Sequence, residues 1–187
     1  MATKNRSRDT LLTELRAVFL SRGYEGATLS ELARATGLGK ASLYHHFPGG
    51  KEEMAAVLLR DAVARLDQTA FARLKEQRPA AERLHRFVDG FERYVDNGER
   101  NCLVTILAQG TIGERHGAQI ADQFRGWRQL LAGVFEETGD KPKRAMRQAN
   151  ALVAGLYGYL LTARLHQEPQ HFSRGIKALK KALPELP

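Results

Sequence analysis

The sequence holds one cysteine, one tryptophan and six prolines in 187 residues, and the scarcity of cysteine excludes two kinds of structure. A single cysteine cannot form an internal disulfide framework or a cysteine-rich zinc site, which is typical of a reducing compartment. No run of about eighteen apolar residues is present, so no transmembrane helix is expected. The first residues carry lysine and arginine instead of the apolar stretch of a secretion signal. We therefore expect a cytoplasmic protein that does not associate with a membrane.

Signatures of common catalytic sites are also missing. The sequence has no glycine-rich phosphate loop, no His-Glu-x-x-His zinc motif, and no serine or cysteine nucleophile with a base nearby. Alternation of apolar and polar residues never extends far enough to predict a β-strand. The 43% of hydrophobic residues is enough for a substantial core, and their spacing is helical. We predict an all-α fold with no enzymatic activity, no cofactor and no metal.

Residues 28–51 carry the most informative pattern of the chain. Thr28 and Glu31 match a capping box, which predicts that a helix begins at Thr28. Gly37 can take the left-handed conformation that ends such a helix, because it has no Cβ. Leu38 would then be buried in the turn. The spacing predicts a helix, a tight turn and a second helix.

The second helix is predicted from Lys40 to Phe47, with Pro48 ending it. Leu43 and Phe47 are four residues apart, so they share its buried face. An outward face of hydrogen-bonding side chains on such a short helix is what reading base edges in a major groove requires. The outward residues are Lys40, Ser42, Tyr44, His45 and His46.

Apolar residues from Leu11 to Phe19 recur at three- and four-residue spacing before Gly23, which predicts a supporting first helix. The three helices resemble the amino-terminal domain of the TetR/AcrR family of bacterial transcriptional regulators. The matching residues are Phe19, Arg22-Gly23-Tyr24, Thr28, Leu32-Ala33, Gly37-Leu38, Lys40, Ser42-Leu43-Tyr44, His46-Phe47 and Lys51. The turn Pro48-Gly49-Gly50-Lys51 is one residue longer than the commoner form and is similar to that of LmrA- and YxaF-like regulators.

The resemblance implies a helix-turn-helix DNA-binding domain over residues 1–51 and a larger helical domain over residues 52–187 for effector binding and dimerisation. Residues 1–51 hold eight lysines and arginines against four acids, a net charge of +4, and the rest of the chain carries another +4. Dense positive charge favours phosphate binding, although many basic surfaces are only solvated faces. By family register, the residues that contact a palindromic double-stranded operator are Thr28, Ser30, Lys40, Ala41, Ser42, Tyr44, His45, His46 and Lys51.

Beyond residue 51 the pattern predicts helices at 51–76, 80–97, 102–109, 117–138, 143–167 and 173–183. An apolar stripe marks the last two, formed by Met146, Val153, Leu156, Tyr157, Leu160 and Leu161, and by Phe172, Ile176, Leu179 and Leu183. The resemblance implies that these helices pair with those of a second copy in a homodimer. Periodicity alone fits an intramolecular core equally well.

The middle helices supply candidates for an effector cavity, although aromatic residues at helical spacing more often form plain core. The resemblance implies a small apolar or aromatic effector whose binding releases the DNA. The candidates are Phe87, Phe91, Tyr94, Cys102, Leu103, Ile106, Ile120, Phe124, Trp127, Leu131 and Tyr157, with Gln109, Gln123 and Asn150 as polar anchors.

Two alternative functions and one metal hypothesis also arise from the sequence. Cys102 lies where a short helix is predicted to begin, and backbone amides with Arg100 would favour its thiolate, as in a redox- or electrophile-sensing repressor. A lone cysteine is more often a small buried hydrophobe. The basic composition also suits a non-specific architectural DNA binder, which would show little preference for an operator. His45 and His46 point apart on a helix and have no third ligand nearby, so we expect no metal there.

Overall fold

The computed structural model describes residues 7–109 and 111–186. Within these ranges the chain is helical and contains no strand, as predicted. The α-helices are α1 (Arg8–Gly26), α2 (Leu29–Thr36), α3 (Lys40–His46), α4 (Gly50–Thr69), α5 (Ala80–Tyr94), α6 (Leu103–Leu107), α7 (Thr111–Glu137), α8 (Pro142–Leu165) and α9 (Pro169–Lys181). Short 3₁₀ helices lie at Phe71–Lys75 and Asp96–Gly98. Over the described ranges, none of the helices combines the length and apolarity needed to cross a membrane.

Packing divides the chain into two compact units. The first takes in the described residues up to Val63 together with Cys102–Ile120, and the second takes in Ala64–Asn101 and the described residues from Ala121 onward. Helix α6 belongs to the first unit because it packs against α1. The boundary at residue 51 that the resemblance implies is a functional division and stays a prediction.

The first three helices form as the sequence predicts. Leu11, Leu15 and Phe19 are completely buried along one face of α1. Thr28 and Glu31 make the predicted capping box at the start of α2, and Gly37 ends that helix in the left-handed conformation. One expectation was wrong: Leu38 is only half-buried. The fully buried residue at this turn is Thr36, whose hydroxyl donates to the Leu32 carbonyl oxygen at 2.8 Å and so satisfies its polar group.

Two of the predicted helix bounds were wrong for identifiable reasons. The helix predicted over 51–76 ends at Thr69 and continues as a separate 3₁₀ turn. Helix α7 begins at Thr111 instead of residue 117, because Gly113 is a helical residue and not a break. A Cβ on Gly113 would overlap the carbonyl oxygen of Ala108, so glycine allows α7 to start directly against the end of α6.

In the second unit, α8 packs against α9, and the predicted apolar stripe divides between two faces. Leu156 and Leu160 are buried on the inner face of α8, whereas Leu161 and Leu165 are 59% and 72% exposed. The inner face also includes the small residues Ala145, Ala149 and Ala163, whose short side chains let helices approach closely, and a buried Leu152. The prediction grouped Leu161 with Leu160 because adjacent apolar residues lie at the edge of a helical stripe.

Candidate nucleic-acid interface and effector cavity

Helix α3 presents an exposed polar face from a fixed position. Leu43 and Phe47 are fully buried, so they anchor the inner side of the helix. The guanidinium carbon of Arg8 lies 5.2 Å from the centre of the Phe47 ring and covers it. On the opposite side Lys40, Ala41, Tyr44 and His45 are exposed, while Ser42 and His46 are half-buried. The structure therefore leaves the predicted groove-reading side chains directed away from the core.

Tyr44 owes its position to the glycine pair that follows α3. Its side chain is 46% exposed, and its ring lies over Gly50, the first residue of α4. Gly50 has a φ of +62°, and a Cβ there would lie 3.1 Å from Cε1 of Tyr44. The backbone N–H of Gly49 donates to the Glu53 carboxylate at 2.8 Å, which completes the turn. The lengthened turn thus lets α4 begin beneath the tyrosine ring.

Thr28 and Ser30 lie at the exposed start of α2. The Thr28 Oγ1 accepts the Glu31 N–H at 3.2 Å, and the Glu31 carboxylate accepts the Thr28 backbone N–H at 3.2 Å and its hydroxyl at 3.1 Å. Hydrogen bonds from the Thr28 backbone and hydroxyl lower the pKa of Glu31, and Arg22 and Arg34 assist. This carboxylate holds the helix start in a fixed conformation beside the surface predicted to face DNA.

Lys51 has a structural partner that the sequence did not reveal. Its Nζ donates to the carbonyl oxygen of Tyr24 at 3.0 Å and lies 4.3 Å from the centre of the Tyr24 ring. Lys51 therefore ties the start of α4 to the end of α1. An ammonium carries three donors, so this arrangement still permits the predicted contact with a phosphate.

Two glutamates, Glu25 and Glu52, attach the start of α7 to the helices of the first unit. The Glu25 carboxylate accepts hydrogen bonds from the Thr111 hydroxyl at 2.7 Å and from its backbone N–H at 3.2 Å, and these bonds lower the pKa of Glu25. Arg115 forms an ion pair with Glu52 of α4. A carboxylate at a helix amino terminus is favourable because it meets unpaired amides and the positive end of the helix dipole.

A cavity of about 430 Å³ lies within the second unit. The structure brings to its lining six of the residues that the sequence proposed for an effector site: Phe87, Phe91, Phe124, Trp127, Asn150 and Tyr157. The Phe91 and Tyr157 rings meet edge to face with their centres 5.1 Å apart. The volume falls in the range of about 300–1,000 Å³ that small-molecule sites occupy.

Trp127 is held rigidly in the wall of the cavity. Its ring stacks on Phe71 at 4.3 Å with only 4° between the planes, and Phe124 meets it edge to face at 5.2 Å. Its indole N–H donates to the Asp67 carboxylate at 2.7 Å. A buried tryptophan with its polar atom satisfied has one orientation, so the aromatic wall is formed before any ligand binds.

Sequence reasoning missed three functional candidates in the lining, Phe71, Arg125 and Arg128. Phe71 lies inside a segment predicted as one long helix, where the pattern indicates only ordinary core. The two arginines were not predicted, because the candidates for the effector site were chosen among aromatic, apolar and amide side chains only. A signal was present, since Ala121, Phe124, Arg125 and Arg128 follow the spacing of one helical face.

Other predicted effector residues lie elsewhere. Tyr94, Gln123 and Leu131 are in the second unit but do not line the cavity. Four candidates and one polar anchor belong to the first unit: Cys102, Leu103, Ile106, Ile120 and Gln109. Periodicity predicts that a residue is buried, but it does not show in which of the two units it is buried.

Cys102 precedes α6 and is only 1% exposed. An electrophile or oxidant therefore has no direct access to its sulfur in this conformation. Arg100, proposed from sequence to favour the thiolate, forms an ion pair with Asp96 at 3.5 Å. The burial matches the environment of a small apolar core residue.

The two histidines of α3 have ring centres 5.8 Å apart and nearly perpendicular planes. Across the part of the chain that the structure describes, no three His, Cys, Asp or Glu residues are grouped as metal ligands would be.

Two family models match this chain. Residues 11–58 match the model described as bacterial regulatory proteins of the tetR family. Residues 80–177 match the model described as the C-terminal domain of LmrA/YxaF-like transcriptional regulators. The first match contains α2 and α3 entirely, and the second contains most of the residues that line the cavity.

Individual relatives agree with these matches. The chain is 26% identical over 182 residues to the HTH-type transcriptional regulator LmrA of Bacillus subtilis, covering 94% of this chain and 97% of LmrA. It is 41% identical over 63 residues to the HTH-type transcriptional repressor AcnR of Corynebacterium efficiens, covering 34% of this chain and 33% of AcnR. Its fold is similar to the crystal structure of the TetR family regulator PfmR from Thermus thermophilus, with a TM-score of 0.76, 24% identity and 98% coverage of both chains.

Proposed function

The chain belongs to the TetR family of bacterial transcriptional regulators, with an LmrA/YxaF-like carboxy-terminal domain, and from this membership we propose that it is a ligand-responsive repressor. As a member of the family it is a DNA-binding regulator and not an enzyme. In the proposed mechanism, a homodimer binds a palindromic operator, and a small apolar or aromatic effector releases it. The observation that carries the ligand response is the aromatic cavity of the second unit.

DNA recognition in this proposal is carried out by α3. The groove contacts come from Lys40, Ala41, Ser42, Tyr44, His45 and His46. Thr28 and Lys51 contact the flanking phosphates, and Ser30 reaches the edge of the groove. The support is the exposure of the polar face of α3 against a fully buried Leu43 and Phe47. Side chains that reach base edges specify sequence, whereas contacts to phosphate position the helix.

Dimerisation brings two such helices to two half-sites about one helical turn of DNA apart, as a palindrome requires. The support is the exposed apolar edge of α8, where Leu161 and Leu165 are 59% and 72% solvent-accessible. Large apolar side chains at such exposure on adjacent turns of one helix are typical of a surface that another chain covers.

The effector acts by binding more tightly to a conformation in which the two α3 helices do not fit the operator. A coupling free energy of about 1–3 kcal/mol would change the affinity for DNA roughly fivefold to 150-fold, and DNA must weaken effector binding by the same factor. The ligand and the DNA are therefore competitors without sharing a site.

The DNA arm is tested with operator fragments that the wild-type protein selects from a genomic pool. Tyr44→Ala and Lys51→Ala should weaken binding to all fragments, whereas Lys40→Ala should change which fragments are selected. Unchanged affinity and selection in all three variants would refute the assignment of α3. An architectural binder would show no preference near the roughly thousandfold that specific regulators reach over random duplex.

The ligand arm uses release of labelled operator by candidate effectors, with Trp127 fluorescence as an independent record of binding. Trp127 is the only tryptophan of the chain and lines the cavity, so its emission reports the cavity directly. Cys102→Ser should release DNA to the same extent as the wild type when treated with an electrophile; loss of release in that variant would favour the cysteine sensor instead.

A further inference from the structure

We infer that the cavity of the second unit selects an anionic effector, a molecule with a flat apolar or aromatic body and one acidic group such as a carboxylate. This inference rests on the proposed function, because it assigns a charge to the effector of the same cavity. Aromatic walls by themselves do not decide the charge. Aromatic faces bind neutral groups and also attract cations, so the charge of the preferred ligand depends on the other lining residues.

The aromatic wall accounts for the body of the ligand. Phe71 and Trp127 are stacked on each other, and Phe124 stands edge-on to Trp127. These rings form a rigid apolar surface beside the space of about 430 Å³. Offset and edge-to-face packing of a ligand ring on such a surface adds to the gain from burial.

The charged residues of the lining are all of one sign. Arg125 and Arg128, three residues apart on α7, line the cavity, and none of the described aspartates or glutamates lines it. Arg125 forms an ion pair with Asp122 of the preceding turn. Arg128 has no ion pair with any residue that the structure describes. The nearby acid Asp67 is engaged by the indole N–H of Trp127 and is not part of the lining.

This arrangement favours an anion for electrostatic reasons. A guanidinium binds a carboxylate through two parallel hydrogen bonds, and such charge-assisted bonds are about twice as strong as neutral ones. Apolar walls lower the local dielectric constant, so the attraction exceeds that of the same pair in water. A cationic ligand would meet the repulsion of Arg128, which no acid among the described lining residues offsets, whereas Asp122 offsets the charge of Arg125.

The exposure of Arg128 limits the size of the effect. Because the residue is exposed, water screens part of its charge, so the preference is smaller than a fully buried pair would give. A charge-assisted hydrogen bond of ordinary strength corresponds to a roughly tenfold difference in affinity. We expect an anion to bind about tenfold more tightly than its neutral isostere.

The test uses three probes with the same body and different charge: para-butylbenzoate, para-butylbenzamide and para-butylbenzylammonium. Each is titrated into the full-length protein while the emission of Trp127 is recorded, and release of the selected operator is measured in parallel. The benzoate should bind about tenfold more tightly than the benzamide, and the ammonium should bind most weakly.

Variants connect the preference to the arginines. Arg128→Gln should reduce benzoate affinity close to that of the benzamide, and Arg128→Glu should make the ammonium the preferred probe. Arg93→Gln is the matched control, since Arg93 is an exposed arginine of the same unit that does not line the cavity. It changes the net charge equally and should leave the benzoate preference intact. Circular dichroism of each variant checks that the helices are retained.

The outcomes separate this inference from the proposed function. Equal binding of benzoate and benzamide, or a benzoate preference that survives in the double variant Arg125→Gln and Arg128→Gln, would overturn the charge assignment. If benzoate is preferred and binds the cavity but never releases the operator, the anion inference stands and the proposed ligand response fails. If no probe changes the emission of Trp127, the inference is overturned.

Discussion

Replacing Gly50 with alanine tests whether the turn after α3 places Tyr44 for DNA binding. Gly50 has a φ of +62°, in the left-handed region, and a Cβ there would lie 3.1 Å from Cε1 of the Tyr44 ring. The substitution therefore makes two changes, a strained backbone and a close contact. We expect Gly50→Ala to destabilise the fold and to weaken DNA binding by separate routes.

The two effects can be estimated. A left-handed conformation costs an ordinary residue about 1–2 kcal/mol, which is the expected loss in the free energy of unfolding. The contact adds little to that loss, because Tyr44 is 46% exposed and its ring can move outward by a few tenths of an ångström. That movement displaces the hydroxyl from the surface predicted to face DNA. Complete loss of the hydrogen bond from this hydroxyl to the DNA would lower affinity about tenfold, so the displacement should lower it by up to that factor.

Urea unfolding followed by circular dichroism, at fixed protein concentration, measures the stability change, and anisotropy of labelled operator measures affinity. In the Tyr44→Ala background, Gly50→Ala should cause the same loss of stability but no further loss of affinity, because no ring remains to be displaced. Gly117→Ala is the matched control: no atom lies within 4 Å of its added Cβ, and the site is helical. Wild-type stability and affinity in Gly50→Ala would refute the reasoning.

Other predictions concern the second unit. Glu76 accepts hydrogen bonds from Arg86 at 2.6 Å and from Arg73, which lower its pKa from 4.5 to about 2, so this contribution to stability is complete above pH 4.5 and is lost as the pH falls toward 2. Glu76→Gln should flatten that part of the curve of unfolding free energy against pH. Gly175→Ala should destabilise the protein by about 1–3 kcal/mol in urea unfolding, since its Cβ would overlap the Tyr159 ring. The double variant Leu161→Glu and Leu165→Glu should convert the proposed homodimer to a monomer in sedimentation equilibrium.

Each of these predictions has a control in the same unit. Glu136→Gln removes an exposed carboxylate of α7 and should leave the acid part of the stability curve unchanged. Gly126→Ala adds a Cβ where no atom lies within 4 Å and should not destabilise. Leu186→Glu charges an exposed leucine outside the helices and should leave the proposed homodimer intact. Equal behaviour of variant and control in any pair would contradict the corresponding contact.

The amino-terminal helices could be predicted closely because their determinants are local. These determinants act within a few residues and can therefore be recognised in the sequence: the capping box of Thr28, the left-handed Gly37 and the spacing of Leu43. The Leu38 error shows the limit of that logic. A turn between two helices can bury either of two residues, and Thr36 took the position because its hydroxyl could bond to backbone carbonyls.

The cavity could be predicted only in part because its determinants are long-range. Phe87, Phe91 and Trp127 are aromatic residues at helical spacing, and the structure joins them. The same criterion also selected Leu103, which belongs to the other unit. Spacing defines a face of a helix, but the partner of that face depends on how distant segments meet, which no local pattern records.

The internal ion pairs of the first unit have a consequence for DNA binding in solutions of different ionic strength. Arg16 forms an ion pair with Asp61 at 2.6 Å, and Arg115 forms one with Glu52. Cations neutralised within the protein release few condensed counterions from a duplex, whereas each phosphate that the protein neutralises makes the slope of log affinity against log salt more negative by about 0.9. The regulator should therefore hold its operator across changes in cellular potassium that would detach a protein whose basic residues all faced the duplex.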